Sequence, residues 1–168
     1  MKRAKIPRQE RIMEHATDKG VYTLLISVPS NSSLYVGRLG HIVIPKGLYL
    51  YTGSALGPGG LIGRIRRHLR RKKKKFWHID YLLSSKNVSI KAIVYSSISS
   101  RLECKVNGSL SKFLSAPVKG FGSSDCANSC TSHLLRYHGR SKSSLINFVR
   151  ESYRRCGLVP IIAQIWRN

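Results

Sequence analysis

The chain has 168 residues, 42% of them hydrophobic, which suits one domain with a real core. Thirty Lys and Arg against seven Asp and Glu give a net charge of +23, so the expected partner is a polyanion, with nucleic acid ahead of an anionic membrane. No apolar run approaches the roughly 20 residues of a membrane span. The basic start, "MKRAKIPRQERIMEH", leads into no apolar signal core, which points to an intracellular protein, cytoplasmic or nucleoid-associated.

In chain order, residues 1–18 read as a basic arm. "GVYTLLISV" (Gly20 to Val28) is β-branched and apolar, a strand that Pro29 and a Ser/Asn cluster end. Glycines and Pro45 divide "SLYVGRLGHIVIPKGLYLYTGS" into three short strands. Leu61, Ile65 and Leu69 recur every four residues, which predicts a helix over 60–71. "FWHIDYLLS" (76–84) predicts a second helix and "VSIKAIVYS" (88–96) another strand. Leu102, Val106, Leu110 and Leu114 predict a helix over 99–114, capped by its serines and carrying Gly108 inside. After a Gly/Ser-rich loop come a strand near 131–137, a capped helix in "SKSSLINFVRESYRRC" and a last strand or extended tail in "GLVPIIAQIW". The class is α+β, a small mixed or antiparallel sheet flanked by helices, with 19–140 as the main domain and 141–168 packed on it.

"YTGSALGPGGLIGRIRRHL" (51–69) has glycines enough for a phosphate cradle. A P-loop, however, needs Lys-Ser/Thr directly after its glycines, and here Leu61, Ile62 and Gly63 follow Gly60. The residues that carry chemistry lie at its ends. Arg64 and His68, four apart, share a helix face; a guanidinium suits a phosphate and a histidine can move a proton. Glu103 opens a helix, where it either matches the helix dipole or holds a magnesium ion. Arg66, Arg67, Arg70, Arg71, Lys72, Lys73, Lys74 and Lys75 form a solvated basic run suited to the nucleic-acid backbone, with His78 just beyond. Asp80 is expected to fix a neighbouring Arg or His. The four cysteines read as free thiols, with a zinc site at Cys104, Cys126, Cys130 and His133 as the alternative.

The order of a Gly-x-Tyr strand, a Tyr-x-Gly strand, an Arg-x-x-x-His helix and a helix opening with Glu resembles the GIY-YIG nuclease superfamily, over roughly residues 20–115. "GLYLYTGSALGPGGLIGRIRRHLR", "FWHIDYLL" and "FGSSDC" resemble a small branch of it, some of whose members are fused to repair glycosylases of the endonuclease III type. The resemblance implies a GIY-YIG-like nuclease core with an inserted hairpin near Leu34 to Pro45. It implies metal-dependent cleavage of DNA, in repair or processing, with Mg²⁺ or Mn²⁺ on Glu103. Tyr22 and Tyr51 would activate or align the water, and Arg64 would neutralise the scissile phosphate. His68 and His78 match histidines of several members, and Asn107 and Asn128 are the candidates for a late asparagine. DNA is the implied partner, with RNA as a further polyanion and a repair glycosylase as a protein partner. The rival expectation is a non-catalytic nucleic-acid-binding module with structural zinc.

Overall fold

A computed structural model describes residues 18–124, 126 and 128–165; the arm expected over 1–18 falls, save Asp18, outside them. Among the described residues, seven strands are arranged in two sheets: β1 (Gly20–Val28), β2 (Ser32–Tyr35), β3 (His41–Ile44), β4 (Gly47–Ala55), β5 (Ser89–Ser97), β6 (Leu134–Tyr137) and β7 (Ile161–Gln164). Four α-helices flank them: α1 (Gly60–Leu69), α2 (His78–Leu83), α3 (Glu103–Ser111) and α4 (Lys142–Arg155). The main sheet runs β6-β4-β1-β5-β7, antiparallel at every pairing. β2 and β3 form a separate hairpin, the insertion anticipated between the two tyrosine strands.

β1 shows no polar alternation because both of its faces are covered. Tyr22, Leu24, Ile26 and Val28 face a core completed by Leu61 and Ile65 of α1, Ile79 and Leu82 of α2, and Ile42 and Ile44 of the hairpin. Val21 and Leu25 face a second core built from Val106 and Leu110 of α3 with Leu145, Val149 and Tyr153 of α4. The fold is thus three layers, with β1 at the centre. The N-terminal end of β1 pairs with the C-terminal ends of β4 and β5. The chain leaves that end of the sheet to enter α1 and α3, so residues of β1, β4, α1 and α3 are carried to one place.

Two boundaries differ from the periodic reading. The helix expected over 99–114 begins at Glu103, with Leu102 in the cap position and no side-chain cap. Ser99 and Ser100 are not used, because the Ile98 N–H still bonds the Lys19 carbonyl and keeps the chain in the sheet to that point. The β6 ladder begins at Leu134, paired with Tyr51, rather than at Thr131. The Ser132 hydroxyl there bonds backbone groups of Leu134 and Phe121 and bends the approach. Gly59 and Gly60 enter α1 with φ of 88° and 53°, a conformation that other residues rarely adopt, and this explains the paired glycines.

Candidate active-site cleft

Cross-strand register sets the two tyrosine motifs against each other. Tyr22 lies opposite Gly53. A Cβ at Gly53 would stand 2.5 Å from the Tyr22 hydroxyl and 2.8 Å from its ring, so the glycine of "YTG" is the floor on which Tyr22 rests. A Cβ at Gly20 would collide with the Ser96 carbonyl and the Leu61 side chain, so the glycine of "GVY" lets α1 approach the sheet. Both motif glycines are steric requirements of the tyrosine and the helix.

An open cleft of about 210 Å³ lies at this end of the sheet. Tyr22, Tyr51, Arg64 and Glu103 all line it. Four positions that reach it from four different elements, β1, β4, α1 and α3, thus converge. Ser54, Trp77, Arg101, Gly122 and Asn128 complete the wall with three of the Cys/His residues. Arg101 and Trp77 carried no signal in the sequence beyond their nearness to Glu103 and the basic helix. The Arg64 guanidinium lies 4.0 Å from the Trp77 ring centre, which holds it flat against the wall. Asn128 reaches the cleft, whereas Asn107 is buried and donates to the Ser132 carbonyl at 2.8 Å.

His68 is in contact with the site without lining it. Its Nε2 is 2.7 Å from the Tyr22 hydroxyl and its ring is 3% exposed. Burial, with Lys73 and the arginines nearby, pulls its pKa down to about 3, so His68 is neutral at working pH. Burial, reinforced by Tyr51, holds the Tyr22 phenol well above its ordinary value, against the pull of Arg64. The sign of the histidine shift sets a pH dependence. Between about 6.5, where an unfolded histidine titrates, and about 3, the unfolded chain binds a proton that the folded chain refuses. Stability should therefore fall on acidification through that window, by about 1.4 kcal/mol per pH unit from this residue. Urea denaturation at stepped pH should show that slope, and His68→Gln should flatten it.

Glu103 stands in the first turn of α3, and its Oε2 is buried without a hydrogen-bond partner. An unsatisfied buried carboxylate oxygen is costly, and a cation would satisfy it. Immediately beside it, Cys104, Cys126, Cys130 and His133 bring four ligand atoms within 4.8 Å of one another, a cluster that could hold a metal ion. Cys104 Sγ is 3.2 Å from Cys126 Sγ and 3.8 Å from His133 Nε2. His133 Nδ1 is 3.1 Å from the Thr52 carbonyl, which can only accept, so Nδ1 carries the proton and Nε2 presents its lone pair to the thiols. Burial opposes ionisation of Cys126, yet hydrogen bonds from the Cys130 backbone, the Cys104 thiol and the Asn128 backbone outweigh it and hold this thiol at about 6. Burial leaves Cys104 protonated, pushed up to about 12. One thiolate is therefore ready for a cation before any metal arrives.

The basic run divides. Arg66, Arg70, Arg71, Lys72, Lys74 and Lys75 are exposed. Lys73 departs from the solvated run expected of it: its side chain is 3% exposed, and its ammonium donates to the Arg67 and His68 carbonyls at the end of α1 and faces Asp80 at 3.9 Å. Arg67 is committed to Asp80 at 2.6 Å, the fixing role anticipated for that aspartate. Asp80 also accepts the N–H groups of Phe76 and Trp77. Although burial acts the other way, those two N–H groups and Arg67 hold its pKa below the usual carboxylate range. His78 accepts the Gly122 N–H at 3.0 Å and so anchors the 120s loop.

Fold and cleft together define a small α+β domain with one tyrosine-, arginine- and glutamate-lined cleft beside a Cys/His cluster. The chain belongs to the DUF123 family, described as a domain of unknown function, whose family model matches residues 21–158. No curated protein and no solved structure matches the chain. Among the described residues, no helix is long and apolar enough to cross a membrane.

Proposed function

We propose that the cleft is the active site of a metal-dependent endonuclease of the GIY-YIG type that hydrolyses phosphodiester bonds in DNA. The observation that carries this reading is the convergence of Tyr22, Tyr51, Arg64 and Glu103 on one open cleft in a protein of net charge +23. Hydrolysis joins a water oxygen to phosphorus and breaks the bond to the leaving oxygen; the attacking water gives up a proton to solvent and the leaving oxygen takes one from solvent in the open cleft. Arg64 faces the phosphate as a permanent cation. Tyr22 and Tyr51 orient the water. His68, neutral and in hydrogen-bond contact with Tyr22, fixes the position of that phenol, which burial, reinforced by Tyr51, keeps from ionising. Glu103 would hold Mg²⁺ or Mn²⁺, which when bound supplies positive charge to the phosphoryl oxygens. A role in repair, alongside a glycosylase of the endonuclease III type, belongs to the same reading.

The Cys/His cluster calls for a softer ion. Three thiol sulfurs and one imidazole form a closed four-ligand set of the kind that selects zinc for a structural role. Because Cys104 follows Glu103 and His133 hangs from the Thr52 carbonyl beside Tyr51, zinc would tie both sides of the cleft together. Elemental analysis should find one zinc per chain. Its removal by a chelator should lower the melting temperature, and magnesium should not restore it; a chain that melts unchanged without zinc would refute the assignment.

The test of activity is incubation with plasmid, branched and single-stranded DNA, with and without Mg²⁺ or Mn²⁺, for wild type and Arg64→Ala. Cleavage should require the ion and drop about 10²-fold or more in the variant. Binding without cleavage under every condition would favour the non-catalytic, zinc-bearing module instead.

A further inference from the structure

Phe76 is the most exposed aromatic side chain among the described residues, at 75% of its full accessibility. It is nonetheless held in place. Its backbone N–H is tied to Asp80 at 3.0 Å, and its ring packs edge-on against Trp77 with centroids 5.5 Å apart. Trp77 in turn is a wall of the cleft, and its own ring is taken by Arg64 at 4.0 Å and Arg67 at 4.6 Å. The free aromatic surface at this rim therefore belongs to Phe76. Five exposed cations, Arg70, Arg71, Lys72, Lys74 and Lys75, stand directly before it in the chain.

We propose that Phe76 is a stacking platform for an unpaired DNA base beside the cleft, so that the preferred substrate carries a single-stranded stretch next to the scissile phosphate. The inference rests on the nuclease reading of the cleft for the word substrate, although the platform itself does not. An aromatic face amid cations binds single strands without regard to sequence, because every base has a face to stack. In a duplex those faces are covered by neighbouring bases, and the platform has nothing to hold. Charge complementarity favours nucleic acid, and the length of the cationic run lets the strand's phosphates be followed away from Arg64.

The test is fluorescence anisotropy of the full chain with labelled single-stranded DNA and a duplex of equal phosphate number, in EDTA so that nothing is cut. Phe76→Ala should weaken single-strand binding about 5- to 100-fold and duplex binding less than about 2-fold. Phe76→Trp should restore single-strand binding, and Phe76→Leu should not. Melting temperature should be unchanged, because the ring buries little. Equal losses on both DNAs, or rescue by leucine, would overturn the proposal, as would unchanged DNA binding with weakened binding to phosphatidylserine vesicles. If the single-strand difference holds but no DNA is cleaved with Mg²⁺ or Mn²⁺, the platform stands and the nuclease reading falls; cleavage without the difference has the reverse meaning.

Discussion

If the cleft is the proposed nuclease site, Glu103→Gln should cut metal-dependent cleavage by about 10³-fold or more while leaving the fold intact. The substitution keeps the shape of the side chain and removes its charge. Its Oε2 is buried at the cleft without a partner, so the structure holds no hydrogen bond there for the amide to break. What would be lost on the nuclease reading is the cation, and with it the several kcal/mol of charge stabilisation that a metal gives a phosphoryl oxygen in the transition state. The effect on stability should be small. Glu103 sits in the first turn of α3, where its charge suits the helix end by only about 0.3–1 kcal/mol. Rates over a range of Mg²⁺ concentrations, melting curves and zinc content together separate the outcomes. Full activity in the variant would remove Glu103 from the mechanism. A fall in zinc content would mean that the substitution had disturbed Cys104.

Asp80→Ala should have the largest effect on stability, about 3–5 kcal/mol. Asp80 is fully buried and serves four partners at once: Arg67, Lys73 and the N–H groups of Phe76 and Trp77 that open α2. Its removal leaves the almost fully buried Lys73 ammonium without a counter-charge and two backbone donors without an acceptor. Asp80→Asn keeps an acceptor for the N–H groups and loses the charge, so it should cost less than alanine; the difference between the two measures the cap. The folded pKa of Asp80 is depressed, so its ionic contribution is present above the range where an unfolded aspartate titrates and is lost as pH falls. Urea denaturation of both variants at neutral pH, repeated near pH 3, should show the gap to wild type narrowing in acid. A gap that does not narrow would assign the cost to packing.

The strands were legible because β-branched, apolar runs bounded by Gly, Pro and Ser have few other readings. α1 was legible from its one apolar stripe, and the strands of the small hairpin from the turn residues around β2 and β3. The start of α3 was not, because the Ile98 to Lys19 hydrogen bond holds the chain to the sheet directly before the serines that signal a cap, a long-range contact that no local pattern encodes. For the same reason Lys73 read as one more solvated lysine. Only the return of α2 beneath α1 brings Asp80 to it. In the cleft, residue types and their order identified Tyr22, Tyr51, Arg64 and Glu103 as candidates. The contact of Tyr22 with Gly53 needed the register, whereas Cys104, Cys126, Cys130 and His133 were named as an alternative site from the sequence although their spacing follows no common paired-cysteine pattern, and the structure shows that their ligand atoms meet.

Among the described residues that line the cleft, Glu103 is the one carboxylate, set in a chain that carries 30 Lys and Arg. A single oxygen ligand group amid so much positive charge gives the free protein little hold on a divalent cation. A DNA phosphate changes both conditions, adding oxygen ligands and cancelling the repulsion. On the nuclease reading, metal and DNA are then each other's effectors: by thermodynamic reciprocity, whatever factor the DNA adds to the ion's affinity the ion adds to the DNA's. The protein would gather its catalytic ion on the substrate and let it go with the product.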